Sequence, residues 1–130
     1  MFTVDQIKAA HSKVKSGADF PNYVKELIAL GVTSYTNYVE DGHTDYEGRH
    51  NYRTQSGAKY EPLPVADTSD MQRFKHALKI HQHGQTDYLT FCRQAGETGT
   101  EKWIVDMAEM TCTYYDKQGN KMLVEAIPGV

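Results

Sequence analysis

Apolar positions over the first thirty residues recur at helical spacing. Phe2-Thr3-Val4-Asp5-Gln6-Ile7 predicts a helix start at which Thr3 caps, Gln6 reaches back, and Phe2 staples onto Ile7. Ile7, Ala10, His11 and Val14 share the face of that helix, and Ser16-Gly17 closes it. A second helix is predicted from Asp19-Phe20-Pro21, since proline is tolerated in a first turn. Tyr23, Val24, Leu27 and Ile28 form its apolar face and Gly31 stops it.

From Val32 the period changes. VTSYTNYVE is rich in β-branched and aromatic residues, and Asp41-Gly42 is a favoured hairpin turn of type I′. Alternation sets Val32, Ser34, Thr36 and Tyr38 against Thr33, Tyr35, Asn37 and Val39. Neither set is cleanly apolar, which predicts an edge strand or a two-sided sheet. Short strands near His43 to Tyr46 and Arg49 to Thr54 follow, then a connector from Gln55 to Val65 carrying Gly57, Pro62 and Pro64.

Ser69-Asp70-Met71-Gln72 predicts another capping box, opening a helix with Met71, Phe74, Ala77, Leu78 and His81 inward and Gly84 at its end. Thr86 is expected to cap a fourth helix with Tyr88, Phe91, Cys92 and Ala95 on one side. WIVDM, TCTYYD and KMLVEAI then read as a β-meander, and Trp103, Val105 and Met107 on one strand face predict a buried tryptophan. The expected architecture is α+β: one domain over residues 1–130, with a helical hairpin and a second helix pair packed on a mostly antiparallel sheet. No internal repeat is visible in the sequence.

Composition narrows the function classes. The net charge of -3 provides no basic footprint for a phosphate backbone, so nucleic acid is not an expected partner. The N-terminus has neither the basic nor the apolar region of a signal peptide, and no apolar run is long enough for a membrane span, so the expected location is cytoplasmic. Cys92 and Cys112 lack CxxC spacing and read as reduced, half-buried thiols.

Chemistry concentrates in YVEDGHTDYEGRH, residues 38–50. His43, Asp45 and Glu47 alternate on one strand face with His50 nearby, a donor set that zinc would accept. The bland alternative is an acidic solvated hairpin, and no recognised ligand spacing is matched. His81 and His83 suit shared ligation on a strand but lie at a helix end, where His83 turns toward His76 instead. No nucleophile motif, phosphate loop or dinucleotide fingerprint is present, so neither catalytic residues nor a cofactor is expected. Tyr35, Tyr38, Tyr46, Tyr52 and Tyr60 cluster in the central third, where amphipathic rings serve recognition or pack a small sheet.

FTVDQIKAAHSKVKSGADFPNYV, LGVTSYTNYVEDGHTDYEG and EKWIVDMAEMTCTYYDKQGNKMLVE resemble the YdfO-like family of small bacterial and prophage-borne proteins, a domain of unknown function with some relatives labelled phage envelope protein. The resemblance spans essentially the whole chain. It implies a compact α+β fold and brings no catalytic residues.

The expected function is a non-catalytic binding or regulatory module. It would recognise a protein or small-molecule partner through Tyr35, Tyr38, His43, Asp45, Tyr46, His50 and Tyr52, with a homodimer admitted. The alternatives are a metal-assisted hydrolase using His43, Asp45 and His50, and a phage structural component.

Overall fold

The computed structural model describes residues 2–14 and 19–127. The chain runs α1 (Val4–His11), α2 (Phe20–Leu30), β1 (Val32–Tyr38), β2 (Thr44–Gly48), β3 (Arg53–Ser56), α3 (Met71–Gln82), α4 (Tyr88–Glu97), β4 (Thr100–Asp106), β5 (Thr111–Asp116) and β6 (Lys121–Ala126). The six strands form one antiparallel sheet in the order β3-β2-β1-β4-β5-β6, giving the expected α+β fold.

Local chemistry sets the helix ends. Thr3 accepts from the Gln6 backbone N–H at 3.2 Å while the Gln6 side chain accepts from the Thr3 N–H at 2.8 Å, the reciprocal box that the sequence predicts. Gly31 closes α2 in a left-handed conformation at φ 102. The caps of the second helix pair each fall one residue later than expected. Asp70, not Ser69, accepts from the Arg73 N–H, and Asp87, not Thr86, accepts from Thr90. An aspartate adjoining a serine or threonine competes for the same role and adds charge favourable to a helix start. The predicted closure of α1 at Ser16-Gly17 lies outside the described residues.

Strand β1 is not an edge. It lies between β2 and β4, and its mixed alternation has a specific cause, a register shift between Val32 and Ser34. The bulge lets Val32 and Tyr35 both enter the core, at 2% and 5% exposure, while Ser34, Thr36 and Tyr38 face the other way. The β1–β2 connection also differs from a two-residue turn. Residues 39–42 form the loop, closed by the Gly42 N–H donating to Tyr38 O and the Tyr38 N–H to His43 O, and only Gly42 takes positive φ.

Both helix pairs lie on one side of the sheet. Phe74 and Phe91 pack on Tyr114 and Trp103, with ring centroids 4.9 Å and 5.7 Å apart, so α3 and α4 cover β4 and β5. Trp103, 8% exposed, joins Val105 and Met107 in the core as predicted. The other pair covers β1 to β3, with Tyr23, Val24 and Leu27 buried from α2 and the Tyr52 hydroxyl donating to Phe2 O.

The chain contains a structural repeat that the sequence conceals. Each half runs helix, helix, strand, strand, strand, and the sheet order places β1 beside β4 at the centre of a pseudo-twofold. One constant offset carries Val32 onto Thr100, and the β1 bulge between Val32 and Ser34 onto the β4 bulge between Thr100 and Lys102. The same offset carries the positive-φ positions Gly31, Gly42 and Asn51 onto Gly99, Met110 and Gly119. Tyr46 falls on Tyr114 and Tyr35 on Trp103, all four buried. Backbone geometry is shared where residue identity is mostly not.

Candidate binding surface

Side chains alternate across the sheet, so the helices cover one face and leave the other without a covering element among the described residues. Register assigns that open face to three cross-strand rows. The first is Tyr38–Lys102–Tyr115, extended by His43 beyond Tyr38 and by Lys121 beyond Tyr115. The second, Thr36–Ile104–Thr113, ends on Val124, which is 51% exposed, and begins on Asp45. The third is Ser34–Asp106–Thr111, flanked by Glu47.

The first row is aromatic and cationic. The Lys102 ammonium lies 6.0 Å from the Tyr38 ring centroid and 5.9 Å from that of Tyr115, within reach of both ring quadrupoles. The His43 imidazole stacks on Tyr38 at 4.3 Å and 10° between planes. Its Nδ1 sits 2.5 Å from Asp41 Oδ1, and its backbone N–H donates to the same oxygen at 3.0 Å. Those two bonds, the backbone one foremost, hold the Asp41 carboxyl below its ordinary range. Burial raises the Tyr38 hydroxyl, as does the neighbouring Asp45 carboxylate. Asp45 also accepts from the Gln55 amide at 2.6 Å.

The residues singled out in the sequence therefore divide. Tyr38, His43 and Asp45 meet on the open face. Tyr35 and Tyr46 lie beneath the helices, 5% and 6% exposed with ring centroids 5.8 Å apart, and so cannot belong to a contact surface formed by the central hairpin. Tyr52 stacks edge-on against Phe2 at 4.8 Å. His50 stands apart in a short helical turn, residues 49–51, with φ 59. Among the described residues no three His, Cys, Asp or Glu side chains gather as a metal site, and His43, Asp45 and His50 do not converge. His81 half-buries against Phe91 at 4.5 Å, with its Nδ1 3.0 Å from Thr86 O.

Lys102, Ile104 and Tyr115 also lie on the open face and are not among the residues the sequence singles out. The signal was available: once Trp103, Val105 and Met107 are assigned inward, Lys102 and Ile104 must point outward. The pairing that brings them to Tyr38 is long-range and has no local signature.

A second set of tyrosines is internal. Tyr88 is 39% exposed, yet its hydroxyl is desolvated near the Cys92 thiol, which Tyr60 also neighbours. Burial pushes the Cys92 thiol up and that of Cys112 up to about 12, so both are fully packed rather than half-buried and neither is a ready nucleophile. Lys59 donates to Gly42 O at 2.7 Å and Thr44 Oγ1 at 3.1 Å, and Thr44 Oγ1 in turn donates to Asn37 Oδ1. At the equivalent places the second half carries Val105 for Asn37 and Cys112 for Thr44. The first half thus has a polar seam that the second lacks.

Surface concavities are shallow. One lies between α3 and α4, lined by Arg73, His76, Gln94 and Glu97, and another at the β2–β3 margin, lined by Asp45, Glu47, Arg53 and Gln55. The open sheet face carries its aromatic row to one side of the middle row Thr36–Ile104–Thr113.

Residues 8–126 match the family described as "Protein of unknown function (DUF1398)". The chain belongs to this family. This DUF1398 chain is also similar to the uncharacterized protein Rv2012 of Mycobacterium tuberculosis and the uncharacterized protein Mb2035 of Mycobacterium bovis, each 26% identical over 97 residues. The alignment covers 74% of this chain and 59% of each relative, so the chain spans less than two-thirds of the curated relatives it matches. No helix among the described residues of the DUF1398 chain is long and apolar enough to cross a membrane.

Proposed function

We propose that this protein is a small, non-catalytic binding module that recognises a protein partner through the open face of its sheet. One observation carries the reading: the Lys102 ammonium held near two tyrosine rings, with His43 stacked on Tyr38, on a face that no helix among the described residues covers. Tyrosine offers large contact area at low conformational cost, and tyrosine is enriched at interfaces while lysine is depleted. A lysine already confined between rings loses less freedom on docking than a mobile one. Ile104 at the centre of the face supplies an apolar anchor. The resemblance to YdfO-like, prophage-borne proteins extends this reading to a cytoplasmic protein of bacterial cells.

Photo-crosslinking in the native cell tests the surface. A benzophenone amino acid replaces Thr36 or Val124 on the open face, and Leu89, 40% exposed on α4, as control. Protein adducts at positions 36 and 124 but not at 89 are expected. Adducts at 89 alone, or none at the open-face positions, would overturn the assignment.

A further inference from the structure

We propose that the partner of the open face is a second copy of this chain, docked face to face about a twofold axis that passes through Ile104 and runs across the strands. The inference rests on the reading of that face as a contact surface and commits to its occupant.

The rows are self-complementary under that operation. A twofold lying in the interface, perpendicular to the strands, sets the first row of one copy against the third row of the other and the middle row against itself. On β4 this places the Lys102 ammonium opposite the Asp106 of the partner subunit, and the reverse. Lys102 and Asp106 stand four residues apart, about 13 Å along a strand, on either side of Ile104. Among the described residues neither has an ion-pair partner. Asp106 uses Oδ1 to accept from the Ala108 and Glu109 N–H groups at 2.9 Å and 3.0 Å, and its second oxygen makes no hydrogen bond among the described residues.

Size matches as charge does. Tyr38 comes to lie over Ser34 of the partner subunit, a large residue over a small one. Ile104 meets its own symmetry mate. The pseudo-twofold relates Tyr38 to Asp106 and Lys102 to Ser34, so the first and third rows occupy equivalent positions in the two halves and carry different side chains. Twisted sheets packed in an aligned manner cross at about 30° and splay at their corners, which confines contact to the strands near the axis. Three or four strands at about 4.8 Å spacing offer on the order of 400 Å² per copy, below the usual stable interface, so association is weak and concentration-dependent.

Sedimentation equilibrium of the untagged chain, up to millimolar concentration, reads the association. The native protein should shift from monomer to dimer, and Ile104→Arg, which brings two guanidinium groups together at the axis, should remain monomeric. Lys102→Asp and Asp106→Lys should each weaken the dimer at least tenfold alone, yet form a one-to-one heterodimer when mixed, because opposite charges then face each other at both contacts. Circular dichroism establishes that each variant is folded, and the gain on mixing cannot come from misfolding. A native chain that stays monomeric, an Ile104→Arg chain as dimeric as the parent, or a mixture no better than its components would each overturn the proposal. Crosslinks from position 36 to a different protein would preserve the contact surface and overturn only the second copy as its occupant.

Discussion

Tyr38 and Lys102 stand directly opposite each other on β1 and β4, with the ammonium 6.0 Å from the ring centroid. They are distant in sequence and belong to different halves of the repeat. Their pairing should matter more to recognition than to folding. At a half-exposed site a cation–π contact contributes about 0.5–1 kcal/mol. A double-mutant cycle of Tyr38→Leu and Lys102→Met, read by urea denaturation, should give a coupling in that range or below, while crosslinking from position 36 falls sharply in either variant. A coupling several times larger would make the pair a structural element instead.

Gly42 is held at φ 77, and a Cβ built there would lie 2.7 Å from Cε2 of Tyr60. The Tyr60 ring is not free to retreat, since its hydroxyl donates to Val39 O at 2.5 Å. Gly42→Val should therefore destabilise the protein by about 1–3 kcal/mol. In a Tyr60→Ala background the clash disappears and the backbone strain remains, so the same substitution should cost less but still more than zero. Equal costs in both backgrounds would show that Tyr60 is not the obstacle.

The two histidines of the central stretch should behave differently from each other. His43 stacks on Tyr38 and pairs with Asp41, so His43→Asn should cost about 0.5–1 kcal/mol. His50 is exposed at φ 59, a conformation asparagine tolerates, so His50→Asn should change stability by less than about 0.5 kcal/mol. Because the donors do not converge, zinc or EDTA should leave the melting temperature unchanged in parent and variants alike. A zinc-dependent rise in the parent, lost when His43→Asn and His50→Asn are combined, would restore the metal reading.

His11 provides a pH signature. The residue is exposed overall, but its ring lies edge-on to Tyr23 at 5.3 Å, and the partial desolvation there, followed by the nearby Lys59 charge, holds its pKa below the ordinary value. The unfolded chain then binds a proton that the folded chain resists, so this contribution to stability is present above about pH 6.5 and is lost as pH falls toward the depressed value. Replacing His11 by Gln should flatten the stability profile between pH 7 and the folded-state pKa. An unchanged slope would assign the dependence to other groups.

Much of the fold is legible locally. Thr3 with Gln6, the stop at Gly31, the inward set Trp103, Val105 and Met107, and the C-terminal meander all follow from spacing and turn chemistry. The caps at Asp70 and Asp87 differ for a local reason, competition between neighbouring residues, while the larger differences rest on distant pairing. The Val32–Ser34 bulge blurs the alternation of β1, which leaves an edge strand and a two-sided sheet both open where the strand is interior. Tyr35 and Tyr46 read as surface recognition residues until the helices are placed over them. The repeat is invisible because the two halves agree in bulge position and in positive-φ sites such as Gly42 and Met110, not in residue identity.

Hydroxyl-radical footprinting tests the central claim most directly, comparing the protein in its native cells with the purified protein at high dilution. The account predicts that oxidation of Tyr38, Ile104, Tyr115 and Val124 is suppressed in cells, while Met71, Tyr88 and Leu89, exposed on the helical side at 40%, 39% and 40%, react equally in both settings. Protection of Met71, Tyr88 and Leu89 with the open sheet face still oxidised would contradict it.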